Sequence, residues 1–155
     1  VAEVRWLDED EQETWRTFLA ASQLLRESLE RQLQRDAGMP HTYYMILVML
    51  SETPGRSMTM SELAQLVRSS PSRLSHAVAK LEEAGWVGRC RHTRDGRTTL
   101  ATLTDAGYAA LAAAAPGHVE QVRSTLFDPL TAEQVRQLRE IFQAVLAQLG
   151  PPERC

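Results

Sequence analysis

Ser70, Ser72, Arg73, His76 and Lys80 fall close together in one stretch, followed by a second group, Arg94, Asp95 and Arg97. These residue types suit one chemistry. Hydroxyls donate to phosphate oxygens, a guanidinium forks onto a guanine edge or a phosphate, and an ammonium neutralises a phosphate charge. Arg94 and Arg97 flank Asp95-Gly96, a polar turn from which an arginine can reach a narrow, electronegative minor groove. Asp95 alone would repel DNA. It fits as the carboxylate that pins Arg97 by a paired hydrogen bond.

The charge distribution agrees with that chemistry where the net charge does not. The 155-residue chain carries −3. From Arg68 to Arg97 there are seven basic residues (Arg68, Arg73, Lys80, Arg89, Arg91, Arg94, Arg97) against Glu82, Glu83 and Asp95, a local balance of +4. Positive charge is confined to one module, and a local basic patch is what attracts phosphates.

The elements that must position these residues are legible around them. Thr59 with Glu62 fits a capping box opening a short helix, SELAQLV, with Leu63, Ala64 and Leu66 facing inward. Ser70 as N-cap before Pro71 starts the next helix, which runs to Ala84 and ends at Gly85. At 100° per residue its Leu74, Val78 and Leu81 share a face, with Ala77 beside them. Ser72, His76 and Ala79 point the opposite way, with Arg73 and Lys80 on their flank. A small, polar outer face lets a helix sit deep in the major groove. WVGRCR and TTLATL then read as two strands joined by HTRDGR, a hairpin. Helix, turn, helix, hairpin is the order of a winged helix-turn-helix.

Long helices flank this module. The first, roughly Asp10 to Arg35, places Trp15, Phe18, Ser22, Leu25, Leu29 and Leu33 on one stripe. His41 to Glu52 is apolar nearly all round and predicts a central core helix. Thr104 and Asp105 open a fifth helix, which Pro116-Gly117 is expected to kink or restart. Thr131 with Gln134 caps a sixth, where Val135, Leu138, Phe142, Val145 and Leu149 step by three and four in a short heptad seam. The fold class expected is mainly α with a small β-hairpin wing.

The segment resembles the multiple antibiotic resistance regulator (MarR) family of winged helix-turn-helix transcription regulators. SELA at 61–64, SRLSHAVAKLEEAGWV at 72–87 and the wing from Arg89 to Thr104, with its Asp95-Gly96-Arg97 and LTDAG, carry the likeness. The family's wing often reads Asp-Arg-Arg; Gly96 stands in the middle place here. The resemblance implies a homodimer built from the first, fifth and sixth helices. It thus implies a single domain over 1–155, with dimerisation helices at 1–37 and 105–155 around a winged-helix reading region at 41–104. It also implies repression of a pseudo-palindromic operator, and release when a small aromatic or phenolic ligand binds between dimer helices and reading head.

Phe18, Leu25, Leu138, Phe142, Val145 and Leu149 are the expected dimerisation residues, since both stripes are too apolar to stay exposed; packing within one chain is the alternative. Trp15, Arg16, His41, Tyr43 and Tyr44 are the candidate ligand residues: Arg16 or His41 to pair with a carboxylate, the aromatics to stack. No cofactor or metal is expected, because Cys90, Cys155 and the four scattered histidines form no ligand spacing. Cys90, between Arg89 and Arg91, offers a redox-sensing alternative. A winged helix used only to bind protein is another, though it would not need so many basic groups. No nucleophile motif or phosphate loop points to an enzyme. No apolar run reaches the ~18 residues of a membrane span. The acidic start is unlike a signal peptide, so a cytoplasmic protein is expected.

Overall fold

The structure, a computed structural model, describes residues 3–92 and 96–150. The described residues form six α-helices and three short strands: α1 Glu9–Ala37, α2 His41–Glu52, β1 Ser57–Thr59, α3 Met60–Leu66, α4 Pro71–Glu83, β2 Val87–Arg91, β3 Thr99–Leu103, α5 Asp105–Val122 and α6 Ala132–Leu149. The mainly helical class with a β wing is as expected.

Local chemistry sets the boundaries. Asp8 and Glu11 cap α1 reciprocally, and Gly38 ends it at φ 63°. Proline at position 40 offers α2 no side-chain cap. Glu30 of α1 supplies one instead, its carboxylate accepting from the His41 backbone N–H at 2.9 Å. Gly85, at φ 75°, takes the left-handed position after α4.

The core sits under α2, which lies between α1 and the reading module. Ile46, Leu47 and Leu50 are fully buried, together with Leu33, Leu63, Val78, Leu81 and Ala101. The sheet has the order β1-β3-β2, antiparallel throughout, with Met58 opposite Ala101 and Arg89 opposite Ala101 on the other side. The wing is therefore the edge of a three-stranded sheet, where the sequence predicts only a two-stranded hairpin. β1 is three residues long and follows Pro54-Gly55, too short to show an alternating pattern.

Two further expectations are corrected. Leu66 faces outward at 54% exposure, and Val67 takes the inward place beside Leu63 and Ala64. Val67 lies four residues after Leu63 and three after Ala64, the spacing that shares a helix face. Helix α5 runs unbroken through Pro116 and Gly117. Its Gly107, Leu111, Ala114 and His118 are buried at helical spacing, and packing against α1 holds the turn over the N–H that proline lacks. The irregularity comes later, as a π-turn at Arg123–Phe127 closed by the Asp128 N–H donating to the Arg123 carbonyl at 2.8 Å.

Candidate nucleic-acid interface

α3 and α4 form the helix-turn-helix, and their caps are built as their sequence predicts. Thr59 and Glu62 cap each other at the start of α3. Ser70 Oγ accepts from the Arg73 N–H at 3.3 Å, with Pro71 at the first turn of α4. The inner face of α4 is shut: Leu74, Ala77, Val78 and Leu81 are all buried. Its outer side carries Ser72, Arg73, His76 and Lys80 exposed, with Ala79 half-buried between them. Ser70 is exposed just before the helix, its hydroxyl 3.4 Å from that of Ser72. Serine donors and the positive end of the helix dipole thus share one end of α4.

Lys80 is engaged by Glu83 at 2.9 Å, which raises the ammonium pKa first by that hydrogen bond and then by charge. Both side chains are about half exposed or more, so solvent screens the pair and Lys80 can exchange its carboxylate for a phosphate. Arg97 is exposed in the wing. Arg94 and Asp95 lie outside the described residues, and with them the expected pinning of Arg97 by Asp95.

Sequence reasoning passed over a contact that ties wing to helix. Arg89 of β2 donates from Nε to Glu82 Oε2 at 2.7 Å, its Nη2 lies 2.6 Å from the same oxygen, and its Nη1 reaches Ser75 Oγ at 3.5 Å. Ser75 and Glu82 are seven residues apart, two turns on one face of α4. That spacing is visible in the sequence, but the strand residue that joins them is not. Arg89 and Arg97 also line a polar recess of about 320 Å³ with Ser61, Pro71 and Ser75.

The five candidate ligand residues do not gather in one pocket of a single chain. Trp15 and Arg16 stand on the exposed first half of α1, lining a shallow depression with Trp6 and Gln12. By helix rise Trp15 is about 25 Å from Gln32. His41, Tyr43 and Tyr44 begin α2. There the His41 and Tyr44 rings lie 5.5 and 4.3 Å from that of His118 on α5. His118 Nδ1 is 3.2 Å from Gln32 Oε1, and Gln32 Nε2 donates to Asp36. This buried cluster, where α1, α2 and α5 meet, joins residues 86 positions apart; nothing in the sequence pairs them.

Of the expected dimerisation residues, Leu25 and Leu138 are half-buried. Phe18, Phe142, Val145 and Leu149 are 41, 37, 45 and 75% exposed. No residue of α6 is buried. Cys90 is exposed. Among the described residues no group of three His, Cys, Asp or Glu is placed to hold a metal, and no helix is long and apolar enough to cross a membrane.

A model of the MarR family matches residues 37–98. The HTH-type transcriptional repressor Rv2887 of Mycobacterium tuberculosis is 35% identical over 113 residues, 73% of this chain and 76% of that one. Among solved structures, Sco3205, a MarR family transcriptional regulator from Streptomyces coelicolor in complex with DNA, is 51% identical. It superposes with a TM-score of 0.95, over 99% of this chain and 96% of its own. AbsC, another MarR family regulator from Streptomyces coelicolor, is 38% identical with a TM-score of 0.90, over 94% of this chain and 98% of its own.

Proposed function

The chain belongs to the MarR family of transcriptional regulators, and we propose that it represses by binding a pseudo-palindromic operator as a homodimer, from which a small aromatic or phenolic ligand releases it. The observation that carries the reading is the outer side of α4. Ser72, Arg73, His76 and Lys80 are exposed there over a fully closed apolar face. A helix so presented enters the major groove with its polar side toward base edges, while Ser70 and the first backbone N–H groups meet phosphate. Arg73, at the first turn, reads a base or grips a phosphate, and Lys80 neutralises a phosphate. Arg94 and Arg97 reach the adjacent minor groove, with Asp95 pinning Arg97. Sco3205, half identical to this chain, was solved with DNA, which supports the same partner here.

The dimer has its own support. The apolar stripe of α6 and the first half of α1 stay uncovered within one chain, and soluble monomers rarely expose so large an apolar surface. Two heads related by a two-fold axis match two half-sites about one helical turn apart, ~34 Å. Ligand control acts through that spacing. A ligand that favours another spacing weakens DNA binding by its differential affinity, and DNA weakens the ligand equally. The buried rings of Tyr44 and His118, with His41, stand where the reading head meets α1 and α5, the place from which such a shift would propagate.

The test is a gel-shift titration, across several salt concentrations, against a duplex selected from a random-sequence pool and against its scrambled counterpart. The reading expects selective binding that falls steeply with salt. Binding to neither duplex would leave a protein-interaction module instead. Release of DNA by oxidants alone, abolished by Cys90→Ser, would replace ligand control with redox control.

A further inference from the structure

Glu82 is an acid within the basic reading module, on the flank of α4 that meets β2. Charge alone argues against it, since a carboxylate there weakens every DNA complex. Its geometry gives it another role. One oxygen, Oε2, takes two donors of the Arg89 guanidinium at 2.7 and 2.6 Å, and Ser75 Oγ stands 3.5 Å from a third nitrogen. The Arg89 and Glu82 side chains are only 33 and 29% exposed, so the pair is better shielded from solvent than the other ion pairs among the described residues. A planar guanidinium held at three nitrogens has its direction fixed as well as its distance.

The clamp spans the two elements that must act together. Ser75 and Glu82 sit two turns apart on α4, and Arg89 sits on β2 opposite Ala101. Two residues beyond Arg89 the strand ends at Arg91, where the wing tip begins. The clamp therefore sets the angle at which the wing leaves the recognition helix. A tilt of β2 at Arg89 is carried outward along the strand.

We propose that Glu82 is a positioning residue for DNA reading: with Ser75 it fixes Arg89, and through Arg89 the wing, so that helix and wing meet their two grooves in register. The proposal rests on the reading of α4 and the wing as the DNA-binding surface. Positioning and charge predict opposite signs for the neutral isostere. If Glu82 acts only by charge, Glu82→Gln tightens binding to any duplex. If it acts by position, Glu82→Gln weakens the selected duplex and spares or strengthens the scrambled one. A merely structural contribution would lower the melting temperature without changing the ratio of the two affinities per folded molecule.

The experiment measures wild type, E82Q, R89K and the double variant against the selected and scrambled duplexes, with circular dichroism to count folded protein. R89K keeps the charge and loses the fork. The expected result is a selected-duplex affinity lower by roughly tenfold in each single variant, the loss of a charge-assisted pair. Scrambled-duplex affinity should be unchanged or higher in E82Q, and the double variant should be no weaker than the weaker single. Wild-type selectivity in E82Q, or losses that simply add in the double variant, would overturn the clamp alone. A wild type without selectivity would overturn the DNA reading and the clamp with it. Should E82Q not fold, R89K decides: wild-type affinity for the selected duplex would overturn the proposal.

Discussion

Phe18 of α1 and Phe142 of α6 lie ring to ring, centroids 5.9 Å apart and planes at 49°, yet each remains more than a third exposed. They close one side of an apolar groove of about 630 Å³ that also includes Ala21, Leu25, Leu138 and Leu126. The contact joins the two ends of the chain without covering either. A second copy laid along this surface would cover it.

Replacing Leu138 and Phe142 together with glutamate should therefore give monomers or aggregates. A charge buried in an apolar seam costs several kcal/mol, or the seam opens. Selected-duplex binding should fall with it, although the reading head is unchanged. Light scattering is the measurement. A folded dimer persisting in the double variant would place the interface elsewhere.

On the reading head, Arg73→Ala should cost roughly 1–3 kcal/mol on the selected duplex if it reads a base. Lys80→Ala should weaken selected and scrambled duplexes alike and lower the salt slope by about one unit. Glu83→Gln frees Lys80 from its 2.9 Å partner and should strengthen both. Arg97→Ala should weaken binding while leaving the melting temperature in place, because Arg97 is exposed. Equal affinity of Arg73→Ala and wild type would remove Arg73 from the surface.

Ligand control predicts that some phenol or aryl carboxylate in a panel releases the selected duplex, and that His41→Ala shifts its potency. Arg16 stands far along α1 from His41 in the same chain, so Arg16→Ala changes potency only if the α1 of a second copy approaches the junction. Unchanged potency in both variants would move the pocket away from these residues.

What could be read in the sequence was local. Ser70-Pro71, Thr59/Glu62 and Thr131/Gln134 announce helix starts through contacts three residues long, and all three caps form. The buried face of α4 followed from its 100° spacing. Apart from Leu66, which local helical spacing itself corrects, what failed depended on distant partners. β1 exists because β3 pairs with it, with Ser57 and Thr102 joined at 2.8 Å. Pro116 is tolerated because α1 packs against α5. In the sequence Glu82 only counts against the basic charge, because its partner lies on a strand, and His118 is one of four scattered histidines, because Gln32 is 86 residues away. The sequence places Arg94 and Arg97 around Asp95 at the wing tip, and Arg94 and Asp95 lie outside the described residues.

Gly107 offers a sharp test of packing. A Cβ there would stand 2.1 Å from the Trp86 carbonyl oxygen and 2.7 Å from Leu103 Cδ1. The Trp86 oxygen cannot readily move, since it accepts from the Thr104 N–H at 3.0 Å, while Thr104 Oγ1 donates to the Gly85 carbonyl at 2.7 Å and caps Gly107. Gly107→Ala should lower stability by about 3 kcal/mol in urea unfolding. Gly88→Ala, where an added Cβ meets nothing within 4 Å, should be close to neutral. Equal melting of Gly107→Ala and wild type would show that the start of α5 can slide away from Trp86.

The His118 cluster predicts how stability depends on pH. Burial lowers the His118 pKa from the ordinary 6.5, and the neighbouring His41 lowers it further. Burial also lowers that of His41, against the opposing pull of Glu30. Around His118 stand Tyr44 and His41 of α2 and Gln32 of α1, with Asp36 behind Gln32; the Tyr44 hydroxyl is pushed above its usual value by burial and carries no charge near neutrality. The hydrogen-bond partner of the His118 ring is the neutral Gln32 side chain, and the carboxylate pull on His41 from Glu30 is smaller than the effect of burial. With both pKa values lowered, the unfolded chain binds more protons than the fold below about pH 6.5. The histidines' neutral-state stability is thus intact above that value and is lost as pH falls from it toward the lowered values. Melting temperatures measured from about pH 8 down to about pH 5 should fall across that window. His118→Gln, which keeps a polar partner for Gln32 and removes a titrating ring, should flatten the fall. An equally steep fall in that variant would assign the dependence to His41 or to groups outside the cluster.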